Sequence, residues 1–127
     1  MPNKYKALVK NRKRDINLQI GLAQFAGNKT FYQYGQRSTF HKKYLKGKKL
    51  KKVNIIVDTL ANICRKYIQK NEDIQFCKID VEGEERNVLL GFDFKKYRPK
   101  VFCIESTIPG RLIPNHNLWE DILLRNI

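Results

Sequence analysis

Residues 74–91 read IQFCKIDVEGEERNVLLG. Ile74 to Val81 is an apolar run of strand length, and a short helix is predicted directly after it. Glu84 and Glu85 fall in the first turn of that helix, where the backbone dipole favours anions, and Gly91 stands where a helix ends. Asp80 and Glu82 are then left at the carboxyl end of the strand. A carboxylate ending an apolar strand needs a partner, because burying it alone is costly.

The same pattern continues outward. VFCIE (101–105) predicts a strand buried on both faces, and VNIIV (53–57) predicts another. Asp58 reads as the N-cap of a helix whose apolar stripe is Leu60, Ile63, Cys64, Tyr67 and Ile68. FDFKKYRPK is a connection, STIPGRLIPNH (106–116) an irregular loop, and LWEDILLRN (118–126) a helix with Trp119, Ile122 and Leu123 on one side. Nearer the start, residues 3–13 predict a helix capped by Asn3, with Tyr5, Leu8 and Val9 on one face. INLQIGLAQ (16–24) alternates as a half-buried strand. GNKT (27–30) reads as a turn, FYQY (31–34) as a returning strand and residues 35–52 as a lysine-rich loop.

The resulting order is α-β-β-β-α-β-α-β-α. Its strand–helix–strand–helix–strand back half predicts right-handed crossovers and an α/β fold with a mostly parallel sheet. In such a sheet the carboxyl ends of the strands form the ligand crevice. Asp80, Glu82 and Glu105 would face one crevice if their strands are neighbours. Acids there can take a proton from a hydroxyl, hold the hydroxyl, or bind a divalent ion. Glu82 has a plainer reading as one more anion at a helix N-terminus. His116, on the loop after Glu105, is a candidate substrate contact.

At 127 residues and 42% apolar content the chain is expected to be a single domain, 1–127. With no membrane-length apolar run and no signal peptide, a cytoplasmic protein is expected. Cys64, Cys77 and Cys103 lack zinc or disulfide spacing and read as small buried thiols. With His41 and His116 far apart as well, no metal is expected. The net charge of +14 is uneven: residues 1–52 hold 15 basic and one acidic side chain, whereas residues 53–127 hold 11 of each. The densest run is KKYLKGKKLKK (42–52). A basic front half can serve nucleic acid, a membrane surface or a phosphorylated substrate, or can simply be solvated. Phe31, Tyr32, Tyr34 and Phe40 flank it and could stack on bases. Sheet packing is the commoner use of such aromatics, so a basic nucleic-acid-binding module stands only as the alternative.

CKIDVEGEERNVLLGFDFKKYRPKVFCIESTIPG (77–110), followed by IPNHNLWEDILL (113–124), resembles the C-terminal portion of FkbM-type methyltransferases. The resemblance spans about residues 74–125, and more weakly residues 2–22. It implies a partial Rossmann-like sheet and an O-methyltransferase using S-adenosylmethionine, acting on a hydroxyl of a sugar, a glycan or a similar small molecule. It places Asp80 and Glu82 at the end of the fourth strand and Glu105 at the end of the fifth, as catalytic candidates. Gly21 and Leu22 fall near the adenine side of the cofactor. The family's glycine-rich turn and ribose-binding acid have no counterpart, with Met1 standing where the acid would be. The chain is therefore expected to be a family member lacking the first two and the last strands. Another chain completing the sheet, or an inactive fragment or non-catalytic partner subunit, follows as a further expectation.

Overall fold

The computed structural model describes residues 2–33, 38–45, 50–70 and 72–126. The observed order of helices and strands is the expected one. Helix α1 (Pro2–Asn11) precedes strands β1 (Gly21–Leu22), β2 (Gly27–Gln33) and β3 (Lys51–Asp58). Helix α2 (Leu60–Tyr67), strand β4 (Phe76–Ile79), helix α3 (Glu85–Leu90), strand β5 (Val101–Ile104) and helix α4 (Glu120–Leu124) follow. Two 3-10 turns, Lys42–Leu45 and His116–Leu118, lie in the loops.

Among the described residues the strands form two small sheets, in the orders β1-β3-β2 and β4-β5. In the first, β3 pairs parallel with β1 and antiparallel with β2, running from Gly27↔Val57 to Gln33↔Lys51. In the second, β4 and β5 are parallel from Phe76↔Val101 to Ile79↔Ile104. Helix α3 is the crossover between them, which establishes the mixed α/β class. The ladder runs one step further, because the Glu105 N–H donates to the Ile79 carbonyl at 2.9 Å.

Several local expectations are corrected. Of residues 16–24, only Gly21–Leu22 is strand, and Ile16 is exposed. Period-2 alternation needs a partner strand, and β3 offers this side only its last two residues. GNKT is strand rather than turn: the chain bends at residues 24–26, and Gly27 (φ +150°) starts β2 opposite Val57. Lys51 and Lys52 belong to β3 rather than to a loop. Thr59, not Asp58, caps α2: its hydroxyl accepts from the Asn62 N–H at 3.1 Å, while Asp58 Oδ1 braces the Thr59 N–H at 2.8 Å. Strand β5 is covered on one face only. Val101 and Cys103 are exposed, as are Phe76 and Lys78 beside them, so Cys103 is not a buried thiol. Leu8 and Val9 share a face of α1 that is about 40% exposed rather than packed. Met1, Tyr34 and the middle of the 42–52 lysine run lie outside the described residues, and so does the side chain of Asn3.

The main core joins Ile79, Val88, Leu89, Trp119 and Ile122, so β4, α3 and α4 share one apolar centre. Trp119 is thus core, as expected. A second cluster around Cys64, Phe92 and Tyr97 packs α2 against the chain after α3. Gly91 lets the end of α3 approach the first sheet. A Cβ there would stand 2.6 Å from the Ala23 carbonyl oxygen, and the Gly91 carbonyl accepts from the Ala61 N–H at 2.9 Å. Among the described residues no helix is long and apolar enough to cross a membrane.

Candidate functional site

The parallel β4–β5 register brings Asp80 and Glu105 to the same end of the sheet. They also share its uncovered face, since Phe76, Lys78 and Asp80 alternate in phase on one strand, and Val101, Cys103 and Glu105 on the other. Asp80 is exposed and ion-paired with Lys78 at 2.9 Å. Glu105 is more enclosed. Its Oε1 accepts from the Thr107 hydroxyl at 3.3 Å, while its Oε2 is buried without a hydrogen-bond partner among the described residues. Burial pushes the Glu105 carboxyl above the usual range, and the charges of Asp80 and Glu82 push it further in the same direction. A raised carboxyl at a strand end is the form in which a carboxylate becomes a useful base.

The turn that follows β4 is strained. Glu82 has φ +55° and Gly83 φ +99°. Only glycine takes such angles freely, so Glu82 is the costly residue of the two. Glu85 pins this turn from below, its Oε1 accepting the N–H groups of Val81 at 3.3 Å and Gly83 at 3.2 Å. From above, the Thr39 hydroxyl donates to the Glu82 carbonyl at 2.7 Å.

Glu84 is the residue the sequence reading underrated. It is neither solvated nor merely a dipole partner, for its side chain is fully buried. Lys29 Nζ from β2 donates to its Oε2 at 2.5 Å, and the Asn87 amide donates at 3.0 Å. His41 Nε2 comes within 2.6 Å of Oε1, off the hydrogen-bonding axis. Burial alone would raise this carboxyl; the contacts with His41, Lys29 and Asn87 outweigh it and bring it down to about 2. A buried glutamate demands a cation, and Lys29 of the front half supplies it, with His41 packed against the other carboxylate oxygen. Lone lysines and histidines carry no local signal of such a role. His41 thus has a place in the architecture that its position in a lysine-rich loop did not suggest.

These contacts seat residues 38–45 on the acidic turn. A cavity of about 80 Å³ remains between them, lined by Ser38, Thr39, Tyr44, Glu82, Pro109 and Arg111 among others. Cofactor pockets commonly run to about 300 Å³ or more, so this space suits a small group rather than a whole nucleoside.

The other predicted residues lie elsewhere. Gly21 sits in β1 with its open side filled: a Cβ would meet Phe40 Cζ at 2.8 Å and both Ile55 Cδ1 and Val57 Cγ1 at 3.1 Å. Leu22 packs on the main core. His116 is exposed, 3.9 Å from Glu120. Phe31 and Phe40 meet edge to face at 5.1 Å, which is packing between segments of the first sheet. Burial, with Cys77 nearby, pushes the Cys64 thiol up to about 11, so it stays protonated at neutral pH. Among the described residues no group of three or more histidines, cysteines or acids is placed to hold a metal ion.

A cationic methyl donor matches the carboxylates in kind. Asp80 and Glu105 present carboxylates at one strand end, and Glu105 Oε2 has no hydrogen-bond partner among the described residues. The adenosine half of such a donor has no fit at Gly21, where Phe40 occupies the space. Three comparisons bear on the chain from outside: a family model described as the methyltransferase FkbM domain matches residues 1–126, whereas no curated protein and no solved structure matches.

Proposed function

Because this chain belongs to the FkbM methyltransferase domain family, we propose that it serves S-adenosylmethionine-dependent O-methylation of a sugar or similar small-molecule hydroxyl, on a Rossmann-like framework built around β4 and β5. The observation that carries this reading is Glu105 Oε2, a buried carboxylate oxygen with no partner among the described residues, at the carboxyl end of a parallel strand pair. Buried polar atoms are nearly always satisfied, so an exception calls for an explanation, of which a catalytic role is one. When bound, the cofactor supplies an electrophilic sulfonium methyl group.

The chain's own residues would handle the acceptor. The Glu105 carboxylate accepts the hydroxyl proton, helped by a proton affinity that burial and neighbouring charge have raised. Asp80 holds the acceptor in line from the exposed side, and the strained Glu82 turn fixes the direction of approach. Asp80 is the less suitable base, because Lys78 already neutralises it.

Calorimetric titration of the 127-residue chain with S-adenosylmethionine is the first test. Micromolar binding supports the reading. No heat at millimolar cofactor would leave family membership standing and remove catalysis by this chain alone.

A further inference from the structure

The balanced charge count of residues 53–127 conceals a spatial division. Its acids Asp80, Glu82, Glu84, Glu85 and Glu105 gather at the carboxyl ends of β4 and β5. At the opposite end lies a broad concavity of about 860 Å³ between the end of α2 and the chain leading into β5. Arg65, Lys70, Lys95, Lys96 and Arg98 line it, with the buried Tyr97 among them.

Among the described residues none of these five cations is ion-paired. Arg65 donates to the Asn62 side chain at 3.0 Å and Arg98 to the Asn126 carbonyl at 3.3 Å, while Lys96 lies 5.3 Å from the Tyr97 ring centre. Glu72 and Asp73 also line it, so five cations face two acids. Glu72 Oε2 accepts the Gln69 N–H at 3.0 Å, and Asp73 pairs with Lys100 at 2.9 Å. Arg65 sits in the last turn of α2, where the helix dipole alone favours a cation. The other four have no such local reason to be there.

A concave wall with an excess of one charge focuses the field and raises the local concentration of counter-ions. Several phosphates on one small ligand can span cations that a single anion cannot. We propose that this concavity is a binding site for a small ligand bearing two or more phosphates, separate from the strand-end carboxylates and independent of the methyl-transfer reading.

Inorganic tripolyphosphate is the probe, followed by residue-resolved amide chemical shifts of the intact chain. Shifts confined to residues 65–74 and 94–98 are expected. The variant K70Q/K95Q/K96Q/R98Q should bind about tenfold more weakly, as the loss of several exposed charge contacts implies. The comparison variant K42Q/K43Q/K51Q/K52Q should change affinity by about twofold or less. Equal weakening in both variants, absent binding, or shifts spread over α1 and the 42–52 run would overturn the proposal, the last pointing to a long polyanion such as nucleic acid. All the substituted side chains are exposed, and circular dichroism checks that the fold is kept. Should the first variant unfold, the shift map of the parent chain decides alone.

Discussion

Lys29 Nζ meets Glu84 Oε2 at 2.5 Å, joining β2 of one sheet to the start of α3 beside the other. The two sheets share no ladder, so this ion pair, with His41 on the second carboxylate oxygen, is a polar tie between them. Removing one partner strands a buried charge. Lys29→Met is expected to cost about 3 kcal/mol, toward the low end for breaking a buried pair because Lys29 is partly exposed. For a domain of this size that is a fall of roughly 10 °C in Tm. A double-mutant cycle with Glu84→Gln checks it: the second substitution should add little once the first is made, and full additivity would show that the pair is not coupled.

The same carboxylate sets an acid limit. Glu84 is held at about 2 in the folded state against an ordinary 4.5. A folded-state value below the unfolded one contributes stability that is complete above the unfolded value and is lost as pH falls toward the folded one. Chemical denaturation from pH 5 to pH 2 should therefore show a steep loss of about 3 kcal/mol from this group. Glu84→Gln starts less stable at neutral pH, and its profile should be flatter in that window. Parallel profiles for the two proteins would place the acid sensitivity elsewhere.

Gly83 has φ +99°, and a Cβ on it would come 2.7 Å from Tyr44 Cε2. Gly83→Ala combines an unfavourable backbone angle with a clash against the residues that seat on the turn. The expected cost is about 1–3 kcal/mol, read as a lower Tm. Fluorescence of Tyr44 should change as well, since its ring is the group that must move. An unchanged midpoint would mean that the turn relaxes freely and is not a strained element of the site.

The strand–helix–strand core was legible because its signals are local. Ile74–Val81, the acids after it and Gly91 announce β4 and α3 within eighteen residues, and the shared end of Asp80 and Glu105 follows from parallel order. Pairings set at a distance were not legible. Nothing near Gly27 says that Val57 will lie opposite it, so β2 was cut short and its first residues read as a turn. Glu84 failed for the same reason. Its sequence neighbours fit a helix-dipole role, whereas its partners Lys29 and His41 are far back in the basic half. Composition offers that half an outside partner or solvent, yet Lys29 is a structural counter-ion and His41 packs beside it. The exposed face of β5 was missed because VFCI is apolar at every position, and only the coverage of the sheet tells an inner face from an open one.

Glu105→Gln separates stability from function. Burial and the charges of Asp80 and Glu82 raise the Glu105 carboxyl in the folded state. A raised acid costs stability once pH climbs from its unfolded value through its folded value, so at pH 7 this carboxyl is a liability to the fold. The neutral amide removes that liability and keeps an acceptor for the Thr107 hydroxyl. Tm at pH 7 is therefore expected to rise slightly, and the gain should vanish below pH 4, where the parent carboxyl is protonated. If Glu105 is the base, methyl transfer should fall about a hundredfold while the affinity for the acceptor changes little. A variant that is both destabilised and inactive would mark Glu105 as a structural acid. One that is stabilised and fully active would assign the proton-accepting role to Asp80.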